Sequence, residues 1–461
     1  MQRTLLFKTI IVLALAVLIC IPLSMIEETI EERGKFRHEA VASIAATSVR
    51  EQTIMGPVLV IPYTDEYQEQ LVKEEGGTKK TETVTHTARR THLVFPEQLK
   101  ITSQVKTDRR YRGIHQVLVY GGTHDISGDF AIPAVNALPR AKPDSRITIG
   151  RPSVAMGISD VRGIRNIPTI KWGDGSAEFE QGTGLLSTPA GLHAKLAPMT
   201  MESPAAVQFS MMLGLDGIER QHFVPIGKSN KVTVKSDWPH PQFGGDFLPS
   251  PSERRIDDTG FEATWNISSL STMSQKKLRD MELSRTAGGE QPHMQVEAFT
   301  VAFIEPVNIY TLAGRAVKYG FLFVALTFAA FFMFEMLKRL PIHPVQYLLV
   351  GLALALFFLL LVSLSEHIAF ALAYLAASVA CILLLGFYLS FVLRDWTRGM
   401  AFGGALTLLY GALYGLLISE NNALVMGSLL LFAMLAAVMI ATRKVDWYQI
   451  TRAAPPEVTT P

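Results

Sequence analysis

Two cysteines in 461 residues are the first scarcity, and both, Cys20 and Cys381, lie inside apolar runs. The long polar stretch between them therefore holds no disulfide and no thiolate metal centre, and its stability has to come from a packed core. A surplus of charge is missing too: 43 Lys and Arg stand against 41 Asp and Glu, a formal net charge of +2. With no long basic stripe to track phosphates, nucleic acid is not expected as a partner. Signatures of catalysis are also lacking. The chain has no Gly-x-Ser-x-Gly elbow, no His-Glu-x-x-His helix, no P-loop and no Gly-x-Gly-x-x-Gly opening a helix. Its 11 histidines are scattered, and the spacing of His86, His92, His115 and His124 does not make them metal ligands. These absences read as a protein that is not an enzyme and carries no cofactor or metal.

What the chain has is apolar sequence, 49% of it, unevenly spread. Residues 27–316 read as an ordinary polar globular chain, and nearly everything after 319 is apolar. A bilayer core takes about 20 apolar residues in helical form. The first candidate, 9–26, follows Arg3 and Lys8 and precedes Glu27, Glu28, Glu31 and Glu32. Its exit, Ile21-Pro22-Leu23-Ser24-Met25-Ile26, offers no small-x-small cleavage site, so an uncleaved anchor is expected rather than a signal peptide.

Five more runs follow at 319–336, 345–364, 368–389, 400–418 and 423–441. Their short connectors test the orientation. Lys338 with Arg339, Arg394 with Arg398, and Arg443 with Lys444 would all fall on the side of the N-terminus. The connectors Ser365-Glu366-His367 and Glu420-Asn421-Asn422 carry no Lys or Arg and would fall on the other side. Every short loop agrees with one orientation, both termini inside. The expected fold is a six-span membrane helix bundle with a large β-rich extracytoplasmic domain inserted between spans 1 and 2. The expected boundaries are 1–26 for the N-terminus and anchor, 27–316 for the outer domain, 317–442 for the five-helix block and 443–461 for an inner tail.

In the outer domain, 27–50 lacks proline and carries a loose apolar face, which predicts a helix leaving the membrane and ended by Gly56-Pro57. Beyond it, β-branched runs at 58–61, 82–95, 116–120, 147–149, 206–213, 231–235, 261–267 and 294–303 are separated by Gly, Pro, Asn and Asp turns. That is the pattern of an antiparallel sandwich or large sheet assembly. The Glu- and Lys-rich stretch 64–80, with Gly76-Gly77, reads as an exposed hairpin tip or loop.

The most distinctive local segment is Asp237-Trp238-Pro239-His240-Pro241-Gln242-Phe243-Gly244-Gly245-Asp246-Phe247-Leu248-Pro249. Two prolines fix φ around His240 and remove two donors, so the segment is extended. Trp238, Phe243 and Phe247 would bury apolar area, while His240 and Asp246 could bond each other or a ligand. The segment is a rigid loop packed on the core or a recognition surface for a partner. Within the membrane block, Glu335 sits one turn from Lys338 and Arg339 and is expected to be interfacial and paired. The middles of the last five runs hold no Asp, Glu, Lys or Arg, which argues against a proton-coupled carrier or ion channel but not against passage of an apolar substrate.

Taken together, several stretches resemble the CreD family of bacterial inner-membrane proteins. They include Gly56-Pro57-Val58-Leu59-Val60-Ile61-Pro62, Asp160-Val161-Arg162-Gly163-Ile164, Gly182-Thr183-Gly184-Leu185 and the Trp238 to Pro249 segment. In the membrane block they include His343-Pro344-Val345-Gln346-Tyr347, Ser363-Leu364-Ser365-Glu366-His367 and Asp446-Trp447-Tyr448. The resemblance implies a Gram-negative inner-membrane protein tied to an envelope stress response and to tolerance of colicins and β-lactams. It carries over no catalytic residue. The partners expected are the lipid bilayer and an envelope protein, lipid or peptidoglycan component, with a lipid transporter or a cryptic hydrolase built on Asp160, His240 and Asp246 as alternatives.

Overall fold

A computed structural model of the chain describes residues 2–75, 78–113, 115–286, 296–303, 305, 309–338, 342–393, 395–419 and 423–443. It divides into two compact units. Met1–His38 and Val307–Pro461 form one, Glu39–Pro306 the other. Seven helices are described: α1 (Gln2–Thr47), α2 (Ser274–Thr286), α3 (Ile309–Lys338), α4 (Pro344–Ser365), α5 (Phe370–Val392), α6 (Trp396–Ile418) and α7 (Ala423–Thr442). Among the described residues, five of them, α1 and α3 to α6, are long and apolar enough to cross a membrane. Arg339, Arg394, Lys444, the connector 420–422 and the tail beyond 443 lie outside the described residues, as does the side chain of Arg3.

The helical unit buries one stripe of α1. Ile19, Leu23, Ile26 and Ile30 recur at helical spacing and join a core with Phe328, Phe358 and Ala313, while Leu13, Val17, Ile21 and Met25 on the other face stay exposed. Close approach is possible because Gly351 of α4 has no side chain: a Cβ there would stand 2.6 Å from Ile19 and 2.9 Å from Phe328. The start of α4 is a full capping box, in which the His343 ring accepts from the Val345 N–H and the Gln346 side chain accepts from the His343 N–H.

Two polar clamps hold α1 in register. Glu335, buried on α3, is ion-paired to Lys8 and accepts hydrogen bonds from the Tyr347 hydroxyl at 2.8 Å and the Ile342 N–H at 3.1 Å. Among the described residues its partners come from α1, from α4 and from the residue two places ahead of α4; the side chains of Lys338 and Arg339 lie outside the described residues. Further along α1, Arg33 lies 3.9 Å from Glu366, which also accepts from the Tyr310 hydroxyl at 3.2 Å.

The other unit is a two-sheet β structure. Its strands, in chain order, are β1 (Gln52–Glu75), β2 (Thr78–Val94), β3 (Gln98–Arg112), β4 (His115–Ile132), β5 (Arg146–Ile149), β6 (Ser153–Ile158), β7 (Thr169–Trp172), β8 (Gly175–Glu178) and β9 (Glu180–Gln181). Then come β10 (Gly191–Lys195), β11 (Ala205–Ile218), β12 (Arg220–Val224), β13 (Ser229–Ser236), β14 (Pro241–Gly245), β15 (Arg254–Asp257), β16 (Gly260–Ser268) and β17 (Phe299–Phe303). One sheet runs β14-β17-β12-β1-β6-β10-β9, with β2 and β5 also on β1; the other runs β15-β16-β13-β3-β4-β11-β7-β8. The pairs β1/β12 and β3/β13 are parallel, the rest antiparallel. A shared core joins the sheets: Trp265 of β16 stacks on Phe299 of β17 at 4.7 Å, and Tyr120 of β4 lies 5.0 Å from Phe303 of β17. The pattern that builds it is plain in β16, where Phe261, Ala263, Trp265 and Ile267 are buried and Glu262 and Asn266 are exposed.

Most expected strands lie within these elements; 294–295 of the last one lie outside the described residues. Residues 64–75 and 78–80 are hairpin, paired in register as far as Glu75 with Thr78; Gly76-Gly77 lies outside the described residues. One expectation is corrected. Gly56-Pro57 does not end the helix, which stops at Thr47; it sits inside β1, where the register against β6 shifts between Met55 and Val58. Gly56 takes φ +122°, and a Cβ there would meet Ala155 O at 3.1 Å, so glycine is what allows the shift.

Gly351→Val should overpack the α1/α3/α4 contact and cost about 1 to 3 kcal/mol. Thermal unfolding of the detergent-solubilised chain should show a lowered midpoint, whereas Gly386→Val in α5, where a Cβ meets nothing within 4 Å, should leave it nearly unchanged.

Candidate functional site

The 237–249 segment leaves β13 in the eight-stranded sheet and crosses to the nine-stranded sheet as its edge strand β14. Asp237 fastens its start, accepting from the Thr107 N–H at 3.2 Å and hydroxyl at 3.3 Å. Trp238 is buried, and its indole N–H donates to the His240 carbonyl at 3.1 Å. Phe243 sets its ring edge against Phe261 and Trp265, at 5.7 and 5.4 Å. Asp246 closes the segment on both sides of Ala298: its N–H donates to the Ala298 carbonyl and its carboxylate accepts from the Ala298 N–H, each at 2.9 Å. The Phe247 carbonyl accepts from the Trp265 indole at 3.3 Å. Gly245, at φ +82°, brings its Cα so near the Ala298 carbonyl that a Cβ would stand 2.3 Å away.

Of the five candidates, Trp238, Phe243, Asp246 and Phe247 are therefore engaged by the fold, and His240 is left exposed with its ring 6.1 Å from the Trp238 ring. His240 and Asp246 flank opposite ends of β14, six residue steps or roughly 20 Å apart along an extended strand, so they do not bond each other. Asp160 belongs elsewhere. It is fixed near the start of β1 by Gln52, whose row across the sheet runs through Gln221 and Val301 to Phe243. Three strand spacings, about 14 Å, separate it from β14. The three groups of a hydrolase site are not brought together.

Asp160 has a different task. Arg162 donates to its carboxylate at 2.6 and 2.9 Å, and the Arg50 N–H at 3.1 Å. The Arg162 hydrogen bond, against the opposing effect of burial, holds that carboxyl below its usual range. Arg162 also donates to the Ala45 and Ala46 carbonyls, satisfying the free C-terminal end of α1. Gly163 makes room for this latch, since a Cβ there would come within 2.3 Å of Asp216 O. In the Gly182-Thr183-Gly184-Leu185 stretch, the Thr183 hydroxyl accepts from the Leu185 N–H at 3.0 Å, and both glycines have positive φ.

Of these four histidines, the three with described side chains each have their own neighbours. His86 stacks on Tyr67 at 5.2 Å and faces Glu69 at 3.1 Å. The side chain of His115 lies outside the described residues. His92 sits half-buried near Arg279, and burial together with that guanidinium pushes its pKa down. His124 is fully buried opposite Ser103, whose hydroxyl lies 2.8 Å from Nδ1. Burial, with a smaller effect of Arg165, lowers its pKa to about 3. Sequence reasoning had no handle on the His92–Arg279 or His124–Ser103 neighbours, because strand pairing and helix docking create them.

Comparison with known proteins yields one family. The model for the family described as Inner membrane protein CreD matches residues 4–448. A relative in Escherichia coli (strain K12), Inner membrane protein CreD, is 34% identical over 431 residues, 94% of this chain and 91% of its own. Two solved structures are distant likenesses. A putative nutrient binding protein from Legionella pneumophila is 10% identical with a TM-score of 0.20, over 50% of this chain and 82% of its own. An M1 zinc metallopeptidase from Deinococcus radiodurans is 6% identical with a TM-score of 0.20, over 45% of this chain and 42% of its own. At those scores neither bears on function.

The buried histidine yields a pH prediction. The unfolded chain binds a proton at His124 near pH 6.5 and the folded chain only near pH 3, so stability falls as the pH drops below 6.5. Between pH 6.5 and 4.5 the loss should be about 2 to 3 kcal/mol. Urea titrations followed by tryptophan fluorescence should show it, and His124→Gln should remove most of it. His92 contributes with the same sign, while the carboxylate of Asp160 matters only at lower pH.

Proposed function

The chain belongs to the CreD family of inner membrane proteins, and from that premise we propose that it is a non-enzymatic protein of cell-envelope integrity and stress response. Its β unit, over about 27–316, stands in the periplasm and binds an envelope component or partner protein. Residues 1–26 and 317–442 cross the membrane in six spans, and both termini, with the tail 443–461, are cytoplasmic. The agreement of the short connectors with one orientation supports this topology.

The observation that carries the binding role is the edge of the nine-stranded sheet. β14 pairs with β17 on one side, and among the described residues no strand pairs on the other. An open edge offers a row of main-chain donors and acceptors to an extended segment of a partner. Here that row is flanked by the exposed side chains of His240, Gln242 and Leu248. The same segment is fixed from behind by Trp238, Phe243, Asp246 and Phe247, so the edge is preorganised.

A specific observation favours a second reading, movement of a lipid or other apolar molecule. A groove of about 590 Å³ opens between α3 and α6, lined by Leu326, Thr327, Ala330, Phe402, Leu406 and Leu409. Substrate-dependent flux in liposomes holding the purified chain would establish it, and no flux would remove it.

His240→Ala should leave membrane abundance unchanged and lower tolerance to a β-lactam or detergent. Asp246→Ala loses a charge-assisted hydrogen bond to Ala298, should cost about 1 to 3 kcal/mol, and should lower abundance and tolerance together. If His240→Ala keeps full tolerance at full abundance, the β14 edge is not the binding surface.

A further inference from the structure

A second polar site lies on the β unit, away from β14. A cavity of about 390 Å³ opens where the end of β2 and the turn into β3 meet the start of β13 and the outer face of α2. Its lining includes His92, Phe95, Glu97, Lys228, Ser269 and Arg279. The walls are not neutral. Lys228 is balanced by Glu97 at 2.7 Å. Arg279 has no ion pair among the described residues; its guanidinium lies over the Phe95 ring at 4.9 Å. Stacking on that ring occupies one face of the guanidinium and leaves its edge, a planar fork of N–H donors, for another group. Beside it, His92 is half-buried and feels the same positive charge, which with burial lowers its pKa.

A concave site with one uncompensated guanidinium, a neighbouring ammonium and a ring nitrogen is built for an anion. Its volume exceeds what a bare inorganic ion fills and falls at the lower end of small-molecule sites. From this juxtaposition we infer that the cavity binds a small organic carboxylate of about dipeptide size. Its carboxylate would pair with the Arg279 fork, with Lys228 and His92 alongside and Phe95 forming the floor. Sequence could not have pointed here, since His92, Lys228 and Arg279 come from three distant parts of the chain. The site shares only the β unit with the β14 reading, and either can fail without the other.

The test uses the full chain in detergent micelles with isotope-labelled histidine rings, the His92 resonance being assigned by its loss in His92→Gln. Glycylglycine, its C-terminal amide and inorganic phosphate are each titrated to about 10 mM, a range that reveals millimolar affinity. Glycylglycine should shift the His92 resonance saturably and the amide should not. Arg279→Gln, an exposed position whose change should leave the melting midpoint unaltered, should weaken binding about tenfold or more. A response to phosphate but not to glycylglycine would overturn the carboxylate assignment in favour of a phosphate site. No shift with any probe, or equal affinity in Arg279→Gln, would overturn the site altogether.

Discussion

A carboxylate surrounded by apolar helix has to be neutralised before the helices around it can close, and Glu335 is that carboxylate. Its partners come from separate places: Lys8 on α1, Tyr347 on α4 and the Ile342 amide just ahead of α4. A buried pair of this kind adds little net stability compared with apolar residues of the same size, but it penalises every arrangement that separates the charges. It therefore sets register. With Lys8 fixed, Ile19, Leu23, Ile26 and Ile30 fall on the side where Gly351 and Gly320 leave space. The Arg33–Glu366–Tyr310 cluster repeats the device at the far end of the same stripe. One helix at the start of the chain is thus keyed at two heights to helices that come some 300 residues later.

The β unit uses polar groups in a comparable way, at joints between remote segments. Asp160 and Arg162 tie the entry of β1 to the last carbonyls of α1, Asp246 ties the end of β14 to Ala298, and Asp237 ties the end of β13 to Thr107. Two stretches that carry the family resemblance, Asp160 to Ile164 and Trp238 to Pro249, are such joints. Many of their residues close the fold, while His240, Gln242 and Leu248 are left facing solvent.

How much of this could be read beforehand depends on how local the cause is. An apolar run of membrane length is a local signal, and α4 to α6 lie where the runs place them. α3 starts well before its run because Ile309 to Lys318, interrupted by Arg315 and Lys318, extend the helix with a buried stripe of Tyr310, Ala313, Ala316 and Val317. Alternation revealed β13 and β16, while β12 and β14 are too short and too mixed to announce themselves. The end of α1 at Thr47, ahead of Gly56-Pro57, has no local signal because the residue that satisfies its last carbonyls, Arg162, belongs to another part of the chain. For the recognition segment, the extended conformation followed from its prolines. The pairing of Asp246 with Ala298 did not, nor did the separation of His240 from Asp246, because both depend on the partner strand β17.

The polar stretch has no disulfide to restrain it when it unfolds, yet it is not a free chain. Both of its ends, at Glu39 and Pro306, run into the one helical unit, where α1 is fastened to α3 and α4. While that unit stays folded, an unfolded β unit is a closed loop rather than a linear coil, and its ends can never drift apart. For a cross-linked loop of more than 200 residues, chain-entropy arguments put the advantage at about 5 kcal/mol. The helices would then act as a covalent staple does, lowering the entropy of the disordered state. Cutting the chain once within the β unit would surrender that advantage without breaking a single native contact.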